Sequence, residues 1–184
     1  HKLTNFVRRF HKNIKSNKAL YIKFYAITKL YNIFIINVTE SPKLVKSFKY
    51  YDSSWYDIKT YGSFAYIVVD NVDYHNRASP FMILDLTNID DGKVIDVSTK
   101  VDYKQSADSH NIFIHKNILY RCVLSSNILV TYNITDPIRP IEIGSFNIEA
   151  HDLHVKTINK TNYAFVATGT QSDLTILNVN NPSE

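Results

Sequence analysis

The stretch Phe81–Thr87 (FMILDLT) is one of four similar segments in the chain. Each is an apolar run that ends at Asn or Asp and is followed by a small apolar–polar pair. The other three are Ile33–Thr39 (IFIINVT), Ile128–Thr135 (ILVTYNIT) and Leu174–Asn180 (LTILNVN). When Asn37, Asp85, Asn133 and Asn178 are taken as equivalent, the spacings between them are 48, 48 and 45 residues. A sequence period of this length indicates a repeat fold.

Three further kinds of run accompany these segments, each 5 to 8 residues long and rich in Val, Ile, Tyr and Phe. Upstream runs centred on an aromatic residue are Leu20–Phe24, Phe64–Val69, Ile118–Val123 and Tyr163–Thr168. Runs that precede those are Tyr56–Thr60, His110–Ile114 and His151–Val155. Runs that follow the segments are Lys43–Phe48, Lys93–Val97 and Ile141–Phe146. Turn-forming residues separate the runs, so all of them are predicted to be β-strands.

Four short antiparallel strands in about 45 residues are typical of one blade of a β-propeller. The sequence therefore predicts an all-β fold with four-stranded blades at about residues 18–50, 53–100, 109–148 and 150–184. Closed propellers contain roughly four to eight blades, so we expect an incomplete ring. Residues 1–17 are set apart as a basic N-terminal segment, in which Leu3, Phe6, Val7 and Phe10 have helical spacing.

Composition describes a chain that can fold as a globular protein: 45% of its 184 residues are hydrophobic and 21% are charged. The single Cys122 excludes an internal disulfide framework, and its place inside the run Ile118–Val123 predicts a buried thiol. No apolar run approaches the roughly 18 residues that a membrane-spanning helix needs. A transmembrane segment is therefore not expected in this chain.

Charge is unevenly distributed along the chain. Residues 1–49 hold 11 Lys and Arg against Glu40 alone, a net +10, whereas residues 50–184 hold 10 against 16 acidic residues, a net −6. A basic arm at residues 2–49 could bind nucleic acid or another anionic surface. The alternative is a solvated lysine-rich face in a gene with AT-rich codons. No RRM, KH or zinc-knuckle pattern accompanies the basic residues, so the sequence does not favour nucleic acid as a partner.

Four segments of the chain resemble the LVIVD repeat of β-propellers, and more specifically the choice-of-anchor B family. They are SSWYDIKTYGSFAYIVVD (53–70), ILDLTNIDDGK (83–93), SHNIFIHKNILY (109–120) and AHDLHVKTINKTNYAFVAT (150–168). The resemblance extends over about residues 20–184. It implies part of a larger propeller in a secreted or surface-anchored protein, with no established catalytic chemistry. We therefore expect an extracellular or cell-surface location.

Polar residues recur at the starts of the predicted innermost strands. Alignment of these strands places Tyr56, His110 and His151 at one position, and Asp57, Asn111 and Asp152 at the next. Innermost strands line a propeller's channel, so these six residues are predicted to form a polar ring that binds a ligand at the channel mouth. Carboxylate and amide oxygens also suit Ca²⁺, although no cofactor is otherwise indicated. The alternative is that they hydrogen-bond nearby backbone or lock adjacent blades together.

The sequence assigns no catalytic residue and no metal ligand. It lacks a G-x-S-x-G elbow, a Gly-rich phosphate loop and an H-E-x-x-H motif. His151 and His154 are three residues apart, so on a strand they would point to opposite faces and could not hold one ion together. His75 and His115 are predicted to lie in loops, with structural or solvated roles.

Three sequons for N-glycosylation occur, at Asn37, Asn133 and Asn159. Asn159 lies between two predicted strands, where a glycan would be exposed, whereas Asn37 and Asn133 end strands and could be partly buried.

The function predicted from the sequence is a non-catalytic secreted or cell-surface module that binds a protein or glycan. A propeller hydrolase with a polar or Ca²⁺-binding channel mouth, and a basic binder of nucleic acid or anionic surfaces through residues 2–49, are the alternatives.

Overall fold

The computed structural model describes residues 20–27, 30–37, 43–49, 53, 55–70, 81–98, 108–170 and 173–181. Within the first three strands it describes the side chains of Ile35 and of residues 44–49. The helical spacing predicted within residues 1–17 lies outside the described residues, as does His75.

The described residues form fourteen β-strands in four antiparallel sheets, and in each sheet the strands are neighbours in chain order. Sheet I contains β1 (Leu20–Ile27), β2 (Leu30–Asn37) and β3 (Lys43–Lys49). Sheet II contains β4 (Tyr56–Tyr61), β5 (Phe64–Val69), β6 (Met82–Asp85) and β7 (Ile95–Asp96). Sheet III contains β8 (Asn111–His115), β9 (Ile118–Val123), β10 (Ile128–Asn133) and β11 (Ile141–Asn147). Sheet IV contains β12 (Asp152–Ile158), β13 (Thr161–Ala167) and β14 (Leu174–Asn178).

The predicted all-β class is confirmed for the described part of the chain, where helix is limited to two short 3-10 turns at Ile89–Asp91 and Leu124–Ser126. Strands β5 and β9 have the bounds that their apolar runs predict. Strand β7 is shorter than the predicted run Lys93–Val97: the backbone N–H of Lys93 donates to Asn88 in the preceding turn, and at the other end the Asp96 carboxylate accepts the backbone N–H of Ser98. The loop predicted at His115 is wrong, since this residue ends β8.

Tight two-residue turns join the first and second strands of sheets II, III and IV. Gly62, Lys116 and Asn159 each have a positive φ in these turns, at 55°, 55° and 48°. Such left-handed conformations match the twist of the paired strands. As a result the first strands β4, β8 and β12 all begin at the end of their sheets that lies opposite these turns.

The four sheets stack face to face in chain order, with an apolar layer between each pair. Successive side chains of a strand point to opposite faces of the sheet, so a buried strand contributes side chains to two apolar layers. On β5, Ile67 packs toward Ile35 of sheet I, and its neighbour Tyr66 packs in the layer that holds Leu119 of sheet III. On β9, Tyr120 packs in the layer that holds Val166 of sheet IV. Sheets II and III therefore bury both faces, and this explains their near-continuous apolar runs.

The first strands of sheets II, III and IV lie next to each other. Strand β4 contacts β8, and β8 in turn contacts β12. This arrangement brings the starts of the three strands together at one end of the stack. None of the described helical segments is long and apolar enough to cross a membrane.

Candidate functional site

The six predicted ligand-binding residues lie at the starts of β4, β8 and β12, where the three strands come together. The structure gives them different surroundings: Asp57, His110 and Asn111 are buried, whereas Asp152 is exposed. Tyr56 and His151 are half-buried. The residues therefore do not form one uniform ring of accessible polar groups.

Asp57 joins sheet II to sheet III. Its carboxylate is fully buried, and Oδ2 accepts a hydrogen bond from the backbone N–H of Ile112 on β8, at 3.0 Å. Lys59, two residues along the same strand, donates from Nζ to both carboxylate oxygens at 2.7 and 2.9 Å. A buried carboxylate is tolerated when it is paired and hydrogen-bonded in this way.

Asn111 joins sheet III to sheet IV in the opposite sense. Its side-chain amide Nδ2 donates to the backbone carbonyl of His151, at 3.0 Å. Asp57 accepts from a backbone N–H, whereas Asn111 donates to a backbone C=O, although the two residues occupy equivalent positions. Both side chains therefore hydrogen-bond the backbone of an adjacent sheet, as the alternative to ligand binding predicts. Binding of a ligand by them stays a prediction.

Trp55 makes a second connection between sheets II and III. Its indole Nε1 donates to the carbonyl of His110 at 2.8 Å, and its ring stacks on the His110 imidazole with centroids 4.8 Å apart and an interplanar angle of 7°. The hydroxyl of Ser53 accepts the backbone N–H of Trp55 at 3.1 Å. This local turn fixes the backbone of Trp55 just before β4 begins.

His110 is held by a carboxylate from sheet II. Its Nδ1 lies 2.7 Å from Oδ2 of Asp70, at the end of β5, and a carboxylate can only accept, so Nδ1 carries the proton. The His151 imidazole packs against the same ring, with centroids 4.2 Å apart. The remaining nitrogen of His110, Nε2, is buried and has no hydrogen-bond partner among the described residues. We call Trp55, Asp70, His110 and His151 the histidine cluster.

Asp152 occupies the position that Asp57 has in sheet II, but it contacts its own strand. Its Oδ1 accepts the backbone N–H of Leu153 at 2.8 Å. The backbone N–H of His151 donates to Ala167 on β13, just as that of His110 donates to Cys122 on β9, which supports the equivalence of the two histidines. His151 and Asp152 are thus the most accessible of the predicted residues, together with Tyr56.

No family model matches the chain, and no curated protein matches it. Among solved structures, the chain is similar to a functionally unknown protein from Desulfotomaculum acetoxidans DSM 771. The two are 12% identical, the match covers 96% of this chain and 70% of that chain, and the TM-score is 0.39. The function is therefore inferred from the chain's own geometry.

Sequence reasoning missed three residues of this region. Trp55 and Asp70 contact His110 from 55 and 40 residues away, so no local pattern joins them. Arg121 is fully buried on β9, where its Nη1 donates to the hydroxyl of Ser109 at 3.1 Å. Asp70 could have been predicted from its position, because its carboxylate directly follows the buried run of β5.

Other candidates from the sequence lie apart from the cluster. Cys122 is buried as predicted, and burial raises the pKa of its thiol well above the ordinary value. His154 is exposed and packs edge-on against Phe113, while Nε2 of His115 lies 2.9 Å from the Thr157 hydroxyl. Across the described ranges, no three His, Cys, Asp or Glu side chains lie close enough to hold a metal ion.

The sequon asparagines also differ. Asn159 is exposed in the β12–β13 turn, whereas Asn133 is half-buried and its Oδ1 accepts the backbone N–H of Thr135, at 2.9 Å. Asn37 ends β2, and its side chain lies outside the described residues. Glycosylation of any of the three stays a prediction.

Proposed function

We propose that the four sheets are blades of a β-propeller and that β4, β8 and β12 are its inner strands. The face-to-face stacking supports this proposal, as does the order of strands within each sheet. Contacts between successive first strands are those expected around a central channel. The resemblance to LVIVD-repeat propellers and to the choice-of-anchor B family belongs to the same proposal.

We infer that this propeller segment is a non-catalytic binding module of a secreted or cell-surface protein. The observation that carries this inference is the use of polar side chains to join sheets at the strand starts, by Asp57 to Ile112, Asn111 to His151 and Trp55 to His110. These bonds fix the strand starts relative to one another. A preorganised surface loses little conformational entropy when a partner binds.

The ligand surface we propose is the accessible part of this end, around His151 and Asp152. An imidazole and a carboxylate can each form hydrogen bonds with the hydroxyl or amide groups that both glycans and peptides carry. His110 supports His151 from beneath through their ring contact. We therefore assign His110 a positioning role rather than a direct contact.

The Asp70–His110 pair also has the form of a carboxylate-oriented general base, which is the feature that a hydrolase would need. A base must reach the proton that it removes. Here Nε2 is buried, and the ring packs against Trp55 and His151, so the pair fits a structural role better than a catalytic one.

Binding of nucleic acid through residues 2–49 stays a prediction, since most side chains of that segment lie outside the described residues.

A glycan microarray and a peptide array, probed with the labelled 184-residue chain, would test the proposed binding function. The matched variants are a double substitution, His151→Ala with Asp152→Ala, and Lys160→Ala in the β12–β13 turn at the opposite end. We expect the wild type and Lys160→Ala to bind the same ligands, and the double variant to bind about tenfold less tightly, or about 1.4 kcal/mol. Absence of binding on both arrays, or equal binding by all three proteins, would contradict the proposal.

Repeating the assay with a calcium chelator tests the prediction of a Ca²⁺ site. If this site takes part in ligand binding, the chelator should reduce the binding.

A further inference from the structure

One ring nitrogen of the histidine cluster has no hydrogen bond. Nε2 of His110 is buried, and no described residue forms a hydrogen bond with it. His110 as a whole is only 8% exposed. A buried polar atom without a partner destabilises a protein, and where one occurs in a native structure a bound ion or water commonly explains it.

The rest of His110 is fixed by its neighbours. Nδ1 donates to Oδ2 of Asp70 at 2.7 Å, and Trp55 stacks on the ring. The backbone N–H of His110 donates to the carbonyl of Cys122 within sheet III. These contacts set the direction of the ring and hold a proton on Nδ1, so the lone pair of the neutral imidazole is on Nε2.

The pairing of His110 with a carboxylate is typical of a metal ligand. A histidine that binds a metal through one nitrogen almost always donates its other ring N–H to a carboxylate, a carbonyl or water. This second contact fixes the tautomer and makes the imidazole a stronger ligand. Asp70 gives His110 such support from sheet II, which leaves Nε2 as the nitrogen that can bind a metal ion.

His151 is placed to supply a second nitrogen. Its ring centroid lies 4.2 Å from that of His110, and the two ring planes are tilted by 51°. Two imidazole nitrogens on one tetrahedral ion lie about 3.3 Å apart, because each metal–nitrogen bond is about 2.0–2.1 Å long. A rotation of the half-buried His151 side chain can bring one of its nitrogens to that distance from Nε2 of His110.

The backbone of His151 is held in place for this role. Its N–H donates to Ala167 within sheet IV, and its carbonyl accepts from Nδ2 of Asn111 in sheet III, at 3.0 Å. The two histidines therefore come from adjacent sheets whose strand starts are already joined. A metal ion between them would pay little entropy for bringing its ligands together.

The ligand type decides the class of metal. Imidazole nitrogen suits Zn²⁺, Cu²⁺ and Ni²⁺, whereas Ca²⁺ and Mg²⁺ prefer oxygen ligands. Within the described ranges no third His, Cys, Asp or Glu side chain completes a metal-binding group, so water takes the remaining positions on the ion.

We propose that His110 and His151 bind a divalent transition-metal ion such as Zn²⁺ between sheets III and IV. His110 binds the ion through Nε2, and Asp70 is a positioning residue that sets the tautomer of His110. This site goes beyond the binding function proposed above, since it needs neither a glycan nor a peptide. It also differs from the predicted Ca²⁺ site, which depends on carboxylate and amide oxygens.

The test is a titration of the 184-residue chain with Zn²⁺ alone, followed by nuclear magnetic resonance of its nitrogen-15-labelled histidine rings. Before Zn²⁺ is added, the spectrum should show the His110 proton on Nδ1. We expect Zn²⁺ to shift Nε2 of His110 and one ring nitrogen of His151 together, with a single saturation curve.

Two variants should weaken Zn²⁺ binding about tenfold or more. His151→Gln removes the second ligand and leaves the backbone contact with Asn111 in place. Asp70→Asn presents an amide N–H to Nδ1, which moves the ring proton to Nε2 and blocks the metal. The matched control is His154→Gln, because His154 is exposed on β12 and packs against Phe113 rather than His110. It should bind Zn²⁺ like the wild type, and circular dichroism verifies that each variant is folded.

Three results would overturn the proposal. They are the absence of a Zn²⁺-dependent shift at His110, equal Zn²⁺ affinity of the wild type and folded His151→Gln, and shifts confined to other histidines. Because no glycan or peptide is present, the outcome is independent of the array experiments, which test the proposed binding function separately.

Discussion

The buried carboxylate of Asp57 on β4 accepts a hydrogen bond from the backbone N–H of Ile112 on β8, across 3.0 Å. Strand β8 is an edge strand of sheet III, and its tight turn pairs His115 with Ile118. Successive backbone N–H groups of an edge strand point alternately toward its partner strand and away from it. Counted from the His115–Ile118 pair, the N–H of Ile112 points away from β9, so its acceptor must come from a neighbouring sheet. The contact therefore turns an exposed edge into an interface between two sheets.

Replacing Asp57 should destabilise the fold strongly. The substitution Asp57→Ala leaves the Ile112 N–H buried without this acceptor and removes the carboxylate to which Lys59 donates, which we expect to cost about 3 kcal/mol of unfolding free energy. Urea denaturation followed by circular dichroism measures this change. Asp91→Ala, which removes an exposed carboxylate from the 3-10 turn between β6 and β7, is the control and should change stability by less than about 0.5 kcal/mol. Equal stability of the two variants would show that the Asp57 contact contributes nothing.

Asn111 should tolerate truncation better than a change to Asp. Asn111→Ala loses one hydrogen bond to the His151 carbonyl and should cost about 1–2 kcal/mol. Asn111→Asp places a carboxylate against that carbonyl oxygen, where two acceptors repel, and should cost more than Asn111→Ala. The same denaturation assay ranks the two variants. The opposite ranking would mean that the side chain does not donate to sheet IV.

Cys122 should be unreactive in the folded protein. Its side chain is fully buried between sheets III and IV, and burial raises the pKa of the thiol, so the nucleophilic thiolate is scarce at neutral pH. Reaction with a colorimetric disulfide reagent should be negligible in buffer and stoichiometric in concentrated guanidinium chloride. Labelling of the native chain at the unfolded rate would contradict the packing of these two sheets.

Acid should release the loop that follows β13. The Glu149 carboxylate accepts hydrogen bonds from the hydroxyl and the backbone N–H of Thr170, and the hydroxyl bond is the main cause of the lowered pKa of Glu149. The folded pKa is below the unfolded one, so this stabilisation is fully present above the unfolded pKa and is lost as the pH falls through the folded pKa. The Thr170 amide resonance should shift through that acid range. In Glu149→Gln the acid shift should be absent, and a titration that persists in this variant would assign it to another group.

Much of the fold could be predicted because each strand is determined by the residues of a short stretch of sequence. The runs Phe64–Val69 and Ile118–Val123 combine β-branched and aromatic residues, and turn formers border them, so composition alone fixes their bounds. The predicted loop at His115 was wrong because the tight turn begins one residue later, at Lys116, whose positive φ the sequence does not reveal.

The site was harder to predict, since its contacts join residues far apart. Alignment placed Asp57 and Asn111 at one position but could not show that one accepts and the other donates. That difference depends on which backbone group of the next sheet faces each side chain. Trp55 and Asp70 were missed for the same reason, because both find their partner in His110 of another sheet.

Amide hydrogen exchange at Ile112 measures whether sheets II and III are joined at the starts of their first strands, β4 and β8. This N–H points away from its own sheet, and Asp57 Oδ2 is its acceptor. We predict that it exchanges slowly in the wild type, like neighbouring core amides, and rapidly in Asp57→Ala, while the His110 N–H, which donates to Cys122 within sheet III, stays protected in both. Rapid exchange at Ile112 in the folded wild type would contradict the stacking of sheets II and III described above.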